Sequence, residues 1–181
     1  VEGYHMEYGF SCMGYEIPAA IGVNLAEPNR PNVIFVGDGS YMMMNSELST
    51  AVMMGISTTI IVTDNRGFGC INRLQKSTGS EPFNNLFKDS HHQKLPNIDY
   101  VLHAKSLGAK AEKANSIEEL EDLVGKFINR KEVNVIVIDT DPDQSTEEGG
   151  TWWDVAIPEV SKNQNVKKAF EDYSIFRKKK N

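Results

Sequence analysis

The sequence predicts an α/β domain of the doubly wound kind, a mostly parallel sheet with helices on both faces, and three observations predict it. Residues 32–36 (NVIFV), 58–63 (TTIIVT) and 133–139 (VNVIVID) are short runs dominated by apolar and β-branched side chains. Runs this continuous suit strands buried on both faces, as parallel strands are. Segments with helical apolar spacing separate them, and strand–helix–strand succession calls for crossovers between parallel neighbours. The chain has 181 residues, 40% of them hydrophobic, enough for one domain with its own core.

Taken in order, residues 13–26 read as a helix, with Pro18 tolerable near its first turn. The first strand, 32–36, runs into Gly37-Asp38-Gly39-Ser40. A helix over 45–54 has Asn45 as its expected cap and Gly55 as its stop. The second strand, 58–63, is followed by a loop that becomes a helix within 66–76. Residues 77–96 are polar and carry Gly79, Pro82 and Pro96, so they read as a long loop, a candidate lid that orders on cofactor binding. A helix at 99–107 and a short strand at 110–113 follow. Ser116 with Glu119 forms a capping box opening a helix whose Ile117, Leu120, Leu123, Val124, Phe127 and Ile128 share one face. After the third strand, residues 164–178 form an amphipathic helix with Val166, Phe170 and Tyr173 along its stripe. The expected organisation is an α/β domain over 1–160 and a helical tail over 161–181, packed on it or extending from it.

Bulk properties exclude several classes. Nineteen Lys and Arg against 25 Asp and Glu give a net charge of −6, the wrong sign for tracking a phosphate backbone, so no nucleic-acid partner is expected. The one basic cluster, Lys178-Lys179-Lys180, reads as a solvated tail. No apolar run approaches the roughly 18–20 residues a membrane span needs. Cys12 and Cys70 make no CxxC spacing and read as free thiols of a reducing, cytoplasmic compartment, Cys70 as a small buried hydrophobe. The chain opens on Val1 without an initiator Met, and residues are expected to precede it.

Chemistry gathers at two strand ends. Ligands of open α/β sheets sit at the carboxyl ends of the strands. There the first strand presents Asp38, Gly39 and Ser40, and the second Asp64, Asn65, Arg66 and Gly67. Asp38 and Asn65 lie 27 positions apart, with one crossover between them. If the strands are neighbours, roughly 5 Å apart, both side chains reach one ion. A carboxylate with a carboxamide oxygen suits Mg²⁺, which takes its remaining ligands from phosphate and water. Gly39 lets a backbone approach a phosphate, Ser40 sets a hydroxyl beside it, and the next helical turn offers free N–H groups. Each signal alone is an ordinary turn; their pairing at crossover spacing is the information. Neither GxxxxGK[ST] nor a GxGxxG after a strand is present, which disfavours a P-loop or a dinucleotide fold.

GDGS at 37–40, followed at this spacing by Asn65-Arg66-Gly67, resembles the signature of the thiamine diphosphate (ThDP) enzymes of the acetolactate synthase and pyruvate decarboxylase group. Residues 12–22 (CMGYEIPAAIG) resemble that group's Met-Gly-Tyr-x-x-Pro-Ala-Ala-x-Gly segment, and the likeness extends over residues 1–160. A narrower set, 4–9 (YHMEYG), 11–16 (SCMGYE), 69–75 (GCINRLQ) and 152–155 (WWDV), is similar to the ThDP-dependent hydrolases that open a trihydroxylated cyclohexane-1,2-dione in myo-inositol catabolism.

The resemblance implies ThDP and Mg²⁺ as cofactors. It implies Asp38, Asn65 and the backbone carbonyl of Gly67 as metal ligands, and Gly39 and Ser40 as diphosphate contacts. Met13 matches the bulky residue that props the cofactor in its bent form, and backbone groups of Ser11 and Met13 match those holding the aminopyrimidine. Asp64 departs from the family, which usually has Asn there. The implied reaction is attack by the cofactor on a ketone of the cyclic diketone, ring C–C cleavage, and release by water of an open-chain acid, 5-deoxyglucuronate. The glutamate that tunes the pyrimidine lies in the family on an N-terminal domain. No catalytic acid or base is therefore assigned here, and the segment is expected to be the inactive C-terminal third of a longer protein. At least a dimer is implied, because the family's cofactor lies between domains of two subunits. Two other readings stay open: another ThDP enzyme, such as a carboligase or 2-oxoacid decarboxylase, and a non-catalytic α/β assembly domain. Among lesser candidates, His5 and Glu7 could face substrate or form a satisfied polar pair, His91 and His92 lack further ligands at metal spacing, and Trp152 and Trp153 suit packing.

Overall fold

The structure is a computed structural model that describes residues 3–7, 10–144 and 155–180. In chain order its elements are α1 (Glu16–Ala26), β1 (Val33–Gly37), α2 (Asp38–Met43), α3 (Ser46–Met53), β2 (Thr58–Asp64), α4 (Gly69–Ser77), α5 (Tyr100–Ser106), β3 (Lys110–Ala114), α6 (Ile117–Phe127), β4 (Val133–Asp139) and α7 (Gln164–Lys180). They fall into two compact units, one of residues 1–65 and 96–140, the other of residues 66–95 and 141–181.

The first unit holds the sheet. Its four strands run in the order β1-β2-β4-β3, every pair parallel. Alternate side chains of the central strands serve opposite faces. Ile60, Val62, Val135 and Val137 pack on one face with Ile17 and Ile21 of α1, Leu48 and Ala51 of α3, and Tyr100 and Ala104 of α5. Ile61, Ile136 and Ile138 pack on the other with Phe127 of α6, flanked by Leu120, Leu123 and Val124. Helices thus cover both faces, as a doubly wound sheet requires, and each large apolar side chain so buried contributes about 1.5–3 kcal/mol. On the α6 face the β1 edge is less protected, and Phe35 is 65% exposed.

Helix ends follow local chemistry, with some departures from expectation. Gly14 takes φ +86, which holds the chain out of helix, so α1 begins at Glu16 rather than at 13. Residues 38–43, expected as a turn and first helical turn, form the separate helix α2. Asn45 consequently links two helices instead of capping one: it adopts helical dihedrals and its Nδ2 donates to Met42 O at 2.8 Å. Gly55 closes α3 at φ +65, its N–H on Val52 O at 3.1 Å. Asp99 caps α5 by accepting from Leu102 N at 2.9 Å. At α6, Ser116 Oγ accepts from Glu119 N at 3.2 Å, while the Glu119 carboxylate reaches one residue further back than in a capping box, to Asn115 N at 2.8 Å. Ile117, the first residue of α6, is 61% exposed, so the apolar stripe starts a turn later, at Leu120.

The second unit is built on α4, α7 and the segment after α4. Residues 66–68 pair with 85–87: Gly67 and Leu86 form an antiparallel bridge, Phe68 N donates to Asn85 O at 2.7 Å and Phe87 N to Arg66 O at 3.0 Å. Gln75 Oε1 accepts from Phe83 N at 3.2 Å and Asn85 Nδ2 at 2.6 Å. Leu86 is buried, and Lys88 pairs with Asp143. These contacts hold the segment expected as a lid over residues 83–90. Cys70 is exposed, not the buried hydrophobe expected, because it lies in the first turn of α4 where Gly69 and Asn72 take the buried side. Val166 of α7 is buried with Phe170 and Tyr173 half-buried on the same stripe. Trp152 and Trp153 lie outside the described residues. Among the described residues no helix is long and apolar enough to cross a membrane.

Ile60 sits on a central strand at 0% exposure. Replacing it by Ala is expected to cost about 2–5 kcal/mol in chemical denaturation. Phe35→Ala, on the open edge, is expected to stay within about 0.5 kcal/mol of the parent.

Candidate cofactor and metal site

Parallel pairing of β1 with β2 sets Gly37 opposite Thr63 and brings the two strand ends side by side. Thr63 Oγ1 donates to Val36 O at 3.3 Å across the pair. Asp38 begins α2 directly after β1, and its Oδ1 accepts from the Asn65 backbone N–H at 3.3 Å. Two residues far apart in sequence are thus in contact at the carboxyl ends of adjacent strands, where an open α/β sheet takes its ligands.

Asp38 is 1% exposed. A carboxylate so deeply buried needs opposing charge or hydrogen bonds, because an isolated ion there is unstable. Tyr100 of α5 registers its field: the phenol pKa is raised, first by burial and then by the charges of Asp38 and Asp64. Carboxylate charge at this end of the sheet suits a cation, and the oxygen donors of Asp38 and Asn65 fit a hard one. Among the described residues no three His, Cys, Asp or Glu gather as a complete metal cage. An ion here would draw further ligands from phosphate, water and backbone carbonyls, as Mg²⁺ ordinarily does.

Gly39 and Ser40 occupy the first turn of α2. The Ser40 hydroxyl is engaged elsewhere than expected. It accepts from Gly14 N at 2.7 Å and donates to the Glu16 carboxylate, 2.9 and 2.8 Å from its two oxygens. A hydroxyl has one proton, so Ser40 is left with its backbone N–H as the donor for a diphosphate. This contact ties residues 11–16 to the end of β1. Ser11 lies there in the left-handed region at φ +50, and Met13 exposes its side chain. At Gly14 a Cβ would come within 2.5 Å of Met44 Cγ, so only glycine fits. Gly67 stands in the second unit at φ +146, where a Cβ would meet Asn85 O at 2.3 Å.

The remaining candidates resolve locally. His5 Nε2 and Tyr15 OH share a hydrogen bond of 2.7 Å. Glu7 accepts from Phe10 N at 2.9 Å and Cys12 N at 2.8 Å, so both oxygens serve the main chain. His91 and His92 are exposed, and His92 Nε2 bonds Phe87 O at 3.1 Å. Sequence reasoning passed over Glu16, Tyr41 and His103. Tyr41, buried next to Ser40, bonds His103 Nδ1 at 2.9 Å and meets the Tyr100 ring edge-on at 5.7 Å. Glu16 lies within the CMGYEIPAA stretch, but its partner Ser40 stands 24 positions on.

Ser40→Ala leaves the buried Gly14 N–H without this acceptor and is expected to cost about 1–3 kcal/mol in denaturant unfolding. Burial pushes the Tyr41 phenol up to about 12 from its ordinary 10.0. The unfolded chain then loses that proton before the native chain does, so stability should be full below pH 10 and fall as pH rises toward 12. Equilibrium unfolding across that range, with Tyr41→Phe showing a shallower fall, checks it.

Residues 2–138 match the family model described as thiamine pyrophosphate enzyme, C-terminal TPP binding domain. The chain is 40% identical over 168 residues to the 3D-(3,5/4)-trihydroxycyclohexane-1,2-dione hydrolase of Bacillus subtilis (strain 168), covering 93% of this chain and 26% of that protein. It is 41% identical over 174 residues to the protein of the same name from Clostridium tetani (strain Massachusetts / E88), covering 93% and 27%. The chain therefore spans about a quarter of the length of these relatives. Among solved structures it resembles the ThDP-dependent 4-hydroxybenzoylformate decarboxylase of Rhodococcus jostii RHA1, with a TM-score of 0.61 and 26% identity over 74% of this chain and 24% of that one. The fold is shared with benzoylformate decarboxylase from Polynucleobacter necessarius, with a TM-score of 0.64 and 24% identity over 75% of this chain and 25% of that one. A parallel sheet whose first two strand ends join Asp38 to Asn65 thus coincides with a family match over most of the chain, and the chain belongs to the thiamine pyrophosphate enzymes as their C-terminal TPP-binding domain.

Proposed function

We propose that this chain is the diphosphate- and Mg²⁺-holding part of a ThDP-dependent hydrolase that cleaves a ring C–C bond of trihydroxycyclohexane-1,2-dione to give 5-deoxyglucuronate in inositol breakdown. The observation that carries the cofactor half is the contact of Asp38 with Asn65 at neighbouring strand ends. The substrate half rests on relatives at 40% and 41% identity whose names specify that dione. The decarboxylase likeness, at 26% identity, shares the cofactor and is weaker support for a substrate.

In this reading the Asp38 carboxylate and the Asn65 side-chain oxygen hold Mg²⁺, with the Gly67 carbonyl as the third protein ligand that the resemblance implies. The ion offsets the charge of Asp38 and of the diphosphate together. Gly39 admits the diphosphate close to the backbone, and the Ser40 amide donates to it. Backbone groups of Ser11 and Met13 would orient the aminopyrimidine, and the Met13 side chain would support the cofactor. Bound ThDP supplies the nucleophilic carbon and electron sink for breaking a bond beside a carbonyl. This chain's residues orient that chemistry; proton transfer falls to the N-terminal domains of the full-length protein. Such an enzyme works as a homo-oligomer, at least a dimer, on a small cyclic diketone. Free, exposed Cys12 and Cys70 suit the reducing cytoplasm.

Calorimetric titration of ThDP with Mg²⁺ into the full-length protein tests the cofactor site. Asp38→Ala is expected to weaken binding at least about a hundredfold, roughly 2.7 kcal/mol, and chelation of Mg²⁺ to abolish the difference between parent and variant. Metal-dependent binding retained in Asp38→Ala would sink the assignment. Turnover of the dione but not of pyruvate by the full-length enzyme would separate the hydrolase from a decarboxylase or carboligase.

A further inference from the structure

Glu7 accepts a main-chain hydrogen bond on each carboxylate oxygen, beside the segment that carries Ser11 and Met13. Oε1 accepts from Phe10 N at 2.9 Å and Oε2 from Cys12 N at 2.8 Å. Between those two amides stands Ser11 at φ +50, a region that residues other than glycine rarely occupy without support. Two residues past Cys12 the next tether appears: Gly14, at φ +86, gives its N–H to Ser40 Oγ at 2.7 Å, and Ser40 is anchored in turn on Glu16. The segment 10–14 is thus held by a carboxylate at one end and a hydroxyl at the other. Ser11 and Met13, the residues whose backbone groups face the aminopyrimidine in the function proposed above, lie between the two.

The side chain matches this task. A carboxylate offers acceptors on both oxygens and no donor, as the two N–H groups it receives require, and charge strengthens both bonds. Glutamine has one acceptor and one donor, so one amide of the pair would face an N–H. Aspartate is one methylene shorter.

We propose that Glu7 is a positioning residue for the pyrimidine half of the cofactor: it fixes the backbone of Phe10–Met13, and so the directions of the Ser11 and Met13 main-chain groups, without touching the cofactor. This rests on the cofactor assignment made above. It differs from a general stabilising role in being selective. The diphosphate half is built on Asp38 and Asn65 at the strand ends, whereas the Glu7 carboxylate serves the amides of Phe10 and Cys12.

Full-length parent, Glu7→Gln and Glu7→Ala proteins are each titrated with ThDP and with inorganic diphosphate, both with Mg²⁺, diphosphate being read by competition against ThDP. Positioning predicts that Glu7→Gln binds ThDP about tenfold more weakly or worse, as loss of a charge-assisted hydrogen bond implies. Its affinity for inorganic diphosphate should stay within about twofold of the parent, as for an independent site. Glu7→Ala, losing both acceptors, should lie further along the same line. ThDP affinity unchanged in both variants overturns the proposal. So does equal weakening toward ThDP and diphosphate, which marks a merely structural residue. Should the parent itself bind neither ligand with Mg²⁺, the cofactor assignment fails and this proposal with it, an outcome visible before any variant is compared.

Discussion

The rest of the structure depends on the register of β1 against β2. With Gly37 paired to Thr63, the residues just beyond each strand, Asp38 and Asn65, meet. A slip of one position would turn every side chain of β1 to the opposite face. Val36 would leave the cluster it shares with Ile60 and Val62, and Asp38 would lose its place beside Asn65. The apolar packing of the strands and the geometry of the site are therefore one constraint. The β-branched content of 58–63 serves the chemistry by fixing where the strand end lies.

Around that strand pair the polar side chains form a chain of supports. Glu16 accepts from Ser40, Ser40 accepts from Gly14, and Glu7 accepts from Phe10 and Cys12. Each link uses a side chain to satisfy backbone or hydroxyl groups in a stretch too irregular to satisfy them itself, since Ser11 and Gly14 both have positive φ. On the core side Tyr41 stacks edge-on against Tyr100 and bonds His103. Tyr100, whose phenol feels the charge of Asp38, is thereby part of a packed aromatic cluster, and a site built beside such elements holds its geometry better than one built on loops alone.

Much of this was legible in the sequence, for identifiable reasons. Strands buried on both faces must be apolar throughout, so 58–63 and 133–139 announced β2 and β4 almost to the residue. Asp38 and Asn65 could be paired because crossover spacing is itself a structural statement. What escaped depended on tertiary partners. Helix α2 starts from Gly37 with no side-chain cap among the described residues, so GDGSYMM carries no mark of a separate helix beginning at Asp38. Ser40 looked free for phosphate because its partners, Gly14 and Glu16, are distant in sequence. Ile117 fits the helical period, yet its exposure is set by where α6 begins over the sheet, which periodicity does not encode. Glu7 could not be placed by motif, since a carboxylate accepting main-chain amides leaves no characteristic spacing.

Charge arithmetic explains why metal and cofactor belong to a single event in the proposed site. Asp38 is buried and Asp64 lies close enough for both to bear on Tyr100. A diphosphate brought to the same strand ends would face carboxylates in a region of low dielectric, where repulsion between like charges is strong. The short helix α2 cannot offset that alone, since its terminal charge amounts to about half an elementary charge. A divalent cation between carboxylate and diphosphate turns the repulsion into attraction on both sides. Each ligand then raises the affinity of the other by the same factor, as linkage demands. Buried acidity at the strand ends would thus make the proposed site depend on a metal, and the same acidity would make it a poor site for a bare anion.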